Sequence, residues 1–131
     1  MLYIGHFSVD EYGDDEPPRH GYFTAVTEAP DADGSVESFR KLITRLKDTQ
    51  AAFQRVAAVY IEDIIEFRRL PADALITRYQ SSEGEFPKSI SHSLPGFEGT
   101  DVQAYGYAAD VKPQQEGKME HYPESTPFLR F

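Results

Sequence analysis

The sequence predicts an α+β fold in which an antiparallel sheet of about five strands, in the order β-β-α-β-β-β, packs one main amphipathic helix on one face. Three observations predict this fold. Two similar β-rich segments stand near the N-terminus, a helical stripe of apolar residues follows them, and further short strand-like segments come after the helix. At 131 residues the chain fits one domain with a buried core.

The first two strands are predicted at residues 2–9 and 21–28, which read LYIGHFSV and GYFTAVTE. Both are rich in β-branched and aromatic residues, and their similar patterns suit antiparallel neighbours. Residues 10–20, DEYGDDEPPRH, are interpreted as the connecting loop. Pro17 and Pro18 lack backbone donors, so they discourage either strand from continuing through this acidic segment.

The helix is predicted over residues 35–53, with Asp33 or Ser35 as its cap. Apolar residues recur there at spacings of three and four, which is typical of an amphipathic helix. They are Val36, Phe39, Leu42, Ile43 and Leu46. Four basic residues fall off this stripe and give the helix a basic outer surface: Arg40, Lys41, Arg45 and Lys47.

A third strand is predicted from residue 57 to residue 70, with Val59, Ile61, Ile65 and Phe67 on one face. Asp63 falls on the same apolar face. Either a bulge shifts the register there, or the carboxylate is buried with a partner. Glu62 and Glu66 share the opposite face, where a cross-strand Arg78 would form a surface ion pair with them.

The later segments predict strands at 74–81 and 102–109 with a loop at 82–100 between them. Residues 1–109 would then form the domain. Residues 110–131 would form a C-terminal extension that docks on the domain or on a second subunit. Its last residues include Phe128, Leu129 and Phe131, whose apolar surface is costly to leave in water.

The charge balance restricts the partners. Thirteen basic and 22 acidic side chains give a net charge of −9, which argues against nucleic acid and against acidic membranes. No apolar stretch is long enough for a membrane helix, and the N-terminus lacks a signal-peptide pattern. With no cysteine there is no disulfide framework or thiol nucleophile. We therefore expect a cytoplasmic, bacterial protein that contacts another protein. The negative charge favours a basic partner or serves solubility alone.

Six residues of the acidic segment form the predicted partner-binding site: Asp10, Glu11, Tyr12, Asp14, Asp15 and Glu16. Their oxygens lack the regular spacing of a calcium loop. His6 and His20 could approach across the first hairpin beside these acids and are the residual metal candidates. A strand histidine beside a loop histidine is more often structural, so no metal and no cofactor is expected.

The loop at 82–100 holds the candidate ligand site, formed by Ser89, Ser91, His92 and Ser93. A long polar loop within a compact domain is often functional. The chain has neither a GxSxG nucleophile elbow nor a phosphate-binding glycine loop. No catalytic residue is therefore assigned.

The segment GYFTAVTEAPDADGSVESFRKLITRLKD is similar to the strand-to-helix segment of HicB-type antitoxins, which implies a partial RNase-H-like sheet with one helix. The Pro-Gly-Cys turn of that family is absent here, and no DNA-binding tail follows. The leading functional hypothesis is a non-enzymatic protein-binding module, immunity-like or antitoxin-like, that forms a homo-oligomer. The alternative is a small-molecule-binding or hydrolytic domain that uses the 82–100 loop around His92.

Overall fold

The structure is a computed structural model that describes residues 1–13, 15–81, 89–106, 112–113, 118–121 and 127–131. Its elements in chain order are β1 Leu2–Gly13, β2 Glu16–Glu28, α1 Ala32–Thr49, a 3₁₀ turn Ala51–Phe53, β3 Val56–Phe67, β4 Tyr79–Ser81, β5 Ser89–His92, β6 Val102–Gly106, β7 Lys112–Pro113, β8 Lys118–His121 and β9 Leu129–Arg130. The predicted α+β class, with an antiparallel sheet and one main helix, is confirmed.

The described strands form two antiparallel sheets. The larger sheet has the order β2-β1-β3-β6-β7, and the smaller sheet has the order β4-β5-β8. Two strands share the edge of β3 that faces away from β1. β6 pairs with Ile64–Phe67, and β9 pairs with Ala58–Val59. Strand β3 therefore lies at the centre of the larger sheet.

The first hairpin extends through the acidic segment, so the prediction of a loop at 10–20 is wrong. Asp10 lies opposite His20, and Glu11 lies opposite Arg19. Both prolines lie within β2, which ends the strand order of the larger sheet. A proline is tolerated on an edge strand because its missing N–H can face away from the ladder. Asp14 lies outside the described residues.

The helix begins earlier than its predicted cap residues. Asp31 is the N-cap, and its carboxylate accepts a hydrogen bond from the Gly34 N–H at 2.8 Å. Asp33 and Ser35 lie inside the first turn, so the predicted cap is wrong by two residues or more. The helix ends at Thr49, and the predicted last residues form the 3₁₀ turn instead. Among the described residues no helix is long and apolar enough to cross a membrane.

The main core lies between α1 and the larger sheet. Its buried side chains include Tyr3, Phe7, Phe39, Ile43, Val59 and Phe128. Phe7 is central: its ring stacks on Phe23 at 4.9 Å between centroids and meets the edge of Phe39 at 5.3 Å. Gly5 permits this packing, because a Cβ there would lie 2.6 Å from the Phe7 ring. A smaller apolar cluster lies on the opposite face of the sheet, around Ile65, Phe67, Leu94 and Val102.

The end of the chain packs on β3 and α1 of the same chain. Phe128 is 5% exposed, and its N–H donates to the Val59 carbonyl at 2.6 Å. The Arg40 guanidinium lies 4.4 Å from the centre of the Phe128 ring. The Phe131 ring lies beneath the Lys47 ammonium. Two of the basic residues predicted to form an outer helix surface therefore cover aromatic rings.

The segments between β3 and β6 differ from the prediction. Only Tyr79–Ser81 of the strand predicted at 74–81 is strand, and Ser89–His92 is strand although a loop was predicted. These residues pair with one another, which gives them the backbone partners that a loop would lack. Strand β6 supplies the first part of the strand predicted at 102–109. Residues 82–88, 107–111, 114–117 and 122–126 lie outside the described part of the chain.

Candidate functional site

A polar cleft opens on the face of the larger sheet opposite α1. It lies between the first hairpin and the chain segment that leads into β4, and its volume is about 380 Å³. The cleft is lined by His6, Phe7, Tyr22, Phe23, Thr24, Thr77, Arg78 and Gln80, and we call it the His6 cleft. Cross-strand pairing explains the wall formed by the hairpin, since His6 lies opposite Thr24 there.

A β-bulge in β3 supplies the acids beneath this cleft. Phe7 lies opposite Ile61 and His6 opposite Asp63, so Glu62 is an extra residue in β3. The bulge turns Glu62 and Asp63 to the same face, as their contacts with Arg78 and His6 show. Both alternatives that the sequence left open for Asp63 are therefore realised, a bulge and a buried partner.

The bulge also overturns the predicted faces of β3. Val59 and Ile61 pack toward α1, whereas Ile65 and Phe67 belong to the opposite cluster. Glu66 lies on the α1 side, where it accepts a hydrogen bond from the Tyr3 hydroxyl at 2.7 Å. It therefore does not share a face with Glu62, and the predicted pair of glutamates is wrong.

His6 is held between a buried carboxylate and a hydroxyl. Its Nδ1 bonds to Asp63, whose side chain is 0% exposed, and its Nε2 lies 3.4 Å from the Thr77 hydroxyl oxygen. A carboxylate on Nδ1 fixes the ring orientation and favours the tautomer with the proton on that nitrogen. Nε2 is then an acceptor on the wall of the cleft, within reach of the Thr77 hydroxyl proton.

A second chain of polar contacts crosses the mouth of the cleft. The Arg78 guanidinium lies 3.6 Å from the Glu62 carboxylate and donates to the Gln80 side-chain oxygen at 3.1 Å. The Gln80 amide donates to the Tyr22 hydroxyl at 3.0 Å. Burial raises the pKa of Tyr22, although the Gln80 hydrogen bond lowers it. Tyr22 therefore keeps its proton at neutral pH.

The Arg78–Glu62 contact corrects a further prediction. A cross-strand Arg78 was expected to neutralise the glutamate at the surface, and the partner is right. Both side chains are largely buried, however, at 11% and 5% exposed. Desolvation makes such a pair costly unless its geometry is satisfied, so it is not an ordinary surface ion pair.

Two buried oxygens near this network keep hydrogen-bonding capacity. Ser8 Oγ and Asp63 Oδ2 have no hydrogen-bond partner within the described part of the chain. Buried polar atoms are costly when unsatisfied, so each one calls for an explanation such as a catalytic role or an ordered water. Ser8 lies two residues from His6 on the same face of β1 and opposite Tyr22 in the hairpin, although neither Ser8 nor Asp63 lines the cleft itself.

The acidic segment predicted to bind a partner is a strand pair with an exposed tip. Tyr12 is 55% exposed, and Asp15 is exposed beside the turn. Asp10 is occupied within the chain, since it accepts from His20 at 2.7 Å and from the Tyr60 hydroxyl at 3.1 Å. Glu11 is half-buried. Asp14 and the side chain of Glu16 lie outside the described part of the chain.

The two histidines considered as metal ligands do not meet. His6 lies opposite Thr24 and His20 opposite Asp10, which places them four positions apart along the hairpin. At a strand rise of about 3.4 Å per residue this is roughly 14 Å. Each histidine instead binds its own aspartate. Within the described ranges no group of three or more potential metal ligands comes together.

The serine-rich candidate site takes the form of a strand rather than a loop. Ser89, Ser91 and His92 lie in β5, where His92 is opposite Tyr79 and Lys118. Ser93 follows the strand and is buried. Of the two whose side chains the structure describes, neither His92 nor Ser93 lines the His6 cleft. The side chains of Ser89 and Ser91 lie outside what the structure describes.

Sequence patterns missed most of the cleft. Thr77, Arg78 and Gln80 belong to a segment that is remote from the hairpin in sequence and reaches it only through the fold. The available signals were Asp63, as an acid on an apolar face of a predicted strand, and the expected pairing of Arg78 with Glu62. No protein-family model, curated protein or solved structure matches the chain significantly.

Proposed function

We propose that the protein binds a small polar molecule in the His6 cleft. The observation that carries this proposal is the convergence of His6, Thr77, Arg78, Gln80 and Tyr22 on one cleft, above an acid that is fully buried. Ligand sites typically combine an apolar wall with a few placed polar groups. A volume of about 380 Å³ lies within the lower part of the usual range.

The polar groups of the cleft favour a ligand with carbonyl or carboxylate oxygens. Tyr22 accepts from Gln80 and lines the cleft, where a phenol hydroxyl can contact a ligand oxygen. Arg78 carries a permanent positive charge that Glu62 partly balances. Because the charges of the wall are already paired, the cleft has no excess charge that would select a multiply charged ion.

The experiment compares two exposed tyrosines of the same hairpin. Small acids, amides and sugars are screened against the wild-type protein by ligand-observed NMR. We expect Tyr22→Phe to weaken the binding of a hit about two- to tenfold, the value of one hydrogen bond. Tyr12→Phe serves as the matched control, since Tyr12 does not line the cleft. Equal losses in both variants, or no hit at all, would refute the proposal.

The same cleft carries the hydrolytic version of this function. A hydroxyl, an imidazole and a buried carboxylate in this order can activate an oxygen nucleophile. Turnover of small nitrophenyl esters that disappears in Thr77→Val and persists in Thr77→Ser would support it. Rates that are equal in wild type and Thr77→Val would leave binding alone as the function.

A second candidate is recognition of a basic protein, in an immunity-like or antitoxin-like role. The hairpin tip supports it, because the exposed Tyr12 stands beside Glu11 and Asp15 on a chain of net charge −9. Tyrosine flanked by acids suits a contact with basic side chains. A partner co-purified from the native host should be lost with Tyr12→Ala and kept with Tyr22→Phe. The reverse pattern would reject this candidate.

We further propose that the protein works in the cytoplasm of a bacterium. A chain without cysteine is compatible with a reducing compartment, and its charge favours solubility. Fractionation of native cells followed by immunoblotting tests this location, and recovery in the membrane or secreted fraction would contradict it.

A further inference from the structure

His6 links a fully buried carboxylate to the wall of the His6 cleft. Its Nδ1 bonds to Asp63, whose side chain is 0% exposed, and the His6 side chain is itself 10% exposed. Its Nε2 lies 3.4 Å from the hydroxyl oxygen of Thr77, which also lines the cleft. This distance exceeds the roughly 2.7–3.2 Å of an ordinary hydrogen bond. A ligand atom can therefore replace Thr77 as the partner of Nε2 without breaking a strong contact.

The protonation of His6 decides which kind of ligand atom its Nε2 can bind. In the neutral ring with the proton on Nδ1, Nε2 accepts a hydrogen bond, and Thr77 is the hydroxyl placed to donate it. In the imidazolium both ring nitrogens donate, so Nε2 offers a proton to the cleft. The Thr77 hydroxyl then no longer donates to Nε2, and its rotation can direct its proton toward a ligand. One added proton therefore supplies two donors to a ligand that only accepts.

The charged groups around His6 favour this proton when an anion enters. β3 contributes the Asp63 and Glu62 carboxylates, and the segment before β4 contributes the Arg78 guanidinium. β2 contributes Tyr22, whose pKa is raised by burial, so that it stays neutral. Two carboxylates against one guanidinium leave one negative charge, and a carboxylate beside a neutral His6 would add another. An imidazolium offsets it, and the attraction is stronger in a partly buried site than in water.

We infer, on the basis of the ligand-binding function proposed above, that the His6 cleft binds a small monocarboxylate together with one proton from solvent. The proton resides on His6 Nε2 and is donated in a hydrogen bond to a carboxylate oxygen. Asp63 is a positioning residue, which holds the ring through Nδ1 and balances its charge without touching the ligand. Between about pH 5 and pH 8 histidine ordinarily loses its proton, whereas a carboxylate stays ionised. The affinity for the carboxylate therefore falls as pH rises.

The first test compares acids with their amides, which have a similar shape but no charge. Acetate, propionate and benzoate and the three amides are titrated by NMR against the wild-type protein. Between about pH 6 and pH 8 the dissociation constant of a carboxylate should rise at least about tenfold, whereas that of its amide should change by less than about twofold. Calorimetry of the tightest acid near about pH 7.5, in two buffers of different ionisation enthalpy, should show uptake of more than about half a proton per molecule.

The second test removes the charge beneath His6. Asp63→Asn keeps an acceptor for the Nδ1 proton but no longer balances an imidazolium, so it should raise the dissociation constant of the carboxylate about tenfold at neutral pH and leave that of the amide within about twofold. His20→Gln is the matched control, because His20 binds Asp10 and does not line the cleft, and it should keep the wild-type pH dependence. Circular dichroism verifies folding, and the wild-type calorimetry decides the matter if Asp63→Asn does not fold.

The outcomes distinguish this coupling from the ligand-binding function itself. A carboxylate that binds without proton uptake, or equally well at low and high pH, would overturn the coupling and leave ligand binding intact. Binding of the amides or sugars alone would have the same meaning. The absence of any hit among acids, amides and sugars would overturn both.

Discussion

The buried His6–Asp63 pair is the most informative contact at the scale of single residues. Asp63 is fully buried in the central strand, where an unpaired carboxylate would be strongly disfavoured. His6 bonds to it, and the bulge at Glu62 brings the two residues opposite each other. The pair therefore joins β1 and β3 at the point where the ladder is irregular, and it fixes the ring that lines the cleft.

Removing one partner of this pair should lower the free energy of unfolding more than removing both partners. His6→Leu leaves the Asp63 carboxylate buried without its partner, and we expect the free energy of unfolding to fall by about 3–5 kcal/mol. Adding Asp63→Leu should recover part of that loss, because the double variant buries no lone acid. Urea unfolding of the wild type, both single variants and the double variant measures the coupling. Additive losses would contradict this prediction.

Tyr3 should make the protein sensitive to alkaline pH. Burial raises the pKa of Tyr3, and its hydrogen bond to Glu66 raises it further above the ordinary value of 10.0. A group whose pKa is higher in the folded state contributes stability in full below the unfolded pKa, and that contribution is lost as pH rises above it. The free energy of unfolding should therefore fall from about pH 10 upward.

The control for this pH dependence is again an exposed tyrosine. Tyr3→Phe should make the loss of stability above pH 10 less steep, whereas Tyr12→Phe should keep the wild-type slope. Unfolding in urea between pH 8 and pH 11, roughly the range over which a free tyrosine titrates, supplies the measurement. Identical slopes for wild type and Tyr3→Phe would show that Tyr3 is not responsible.

At the scale of elements, the start of α1 shows why the cap residue matters. Three acids or hydroxyl residues stand close together at 31, 33 and 35, and each is a good N-cap by residue type. Only Asp31 has extended backbone angles and accepts from the Gly34 N–H. The strand that precedes the helix decides between them, because β2 ends at Glu28 and leaves a turn of three residues before the first helical residue.

Alanine substitutions should show that Asp31 and Asp33 contribute differently to the stability of α1. Asp31→Ala should lower the free energy of unfolding by about 1 kcal/mol, because the Gly34 N–H loses its acceptor. Asp33→Ala should cost a few tenths of a kcal/mol, since Asp33 is exposed and contributes only through the helix dipole. Thermal unfolding of the two variants tests the difference. An equal or larger loss of stability for Asp33→Ala would show that Asp31 is not the cap.

At the scale of the whole molecule, the last residues of the chain complete the core that the first strand begins. Phe128 packs near Phe7 and beneath Arg40, and β9 adds to the free edge of β3. The sheet and the single helix would otherwise leave part of the central strand without a neighbour. The chain end is therefore part of the folded unit rather than an appendage to it.

Two phenylalanines three residues apart should differ strongly in their effect. Phe128→Ala should lower the free energy of unfolding by about 3–5 kcal/mol, because it leaves a cavity in the main core. Phe131→Ala should cost about 1 kcal/mol or less, since Phe131 is 43% exposed and is held mainly by Lys47. Urea titration of both variants gives the comparison, and similar losses would contradict the packing described for β9.

Local sequence patterns predicted the elements that depend on neighbours along the chain. The stripe of Val36, Phe39 and Ile43 predicts α1 because helical spacing places these residues on one side. The segments around residues 2–9 and 21–28 predict the two strands of the first hairpin because their β-branched and aromatic residues favour strands locally. The prolines misled the prediction of its length, because their effect depends on whether the strand lies at an edge, which is a property of the sheet.

Periodicity and residue type, which are local properties of the sequence, determined the class of fold and the position of its helix. They did not determine the site. The bulge at Glu62, the partner of Asp63 and the approach of Thr77 and Arg78 to the hairpin depend on how distant strands align. Residues that meet across more than fifty positions leave no periodic signal in one sequence, so only the tertiary structure could place His6, Asp63 and Thr77 together.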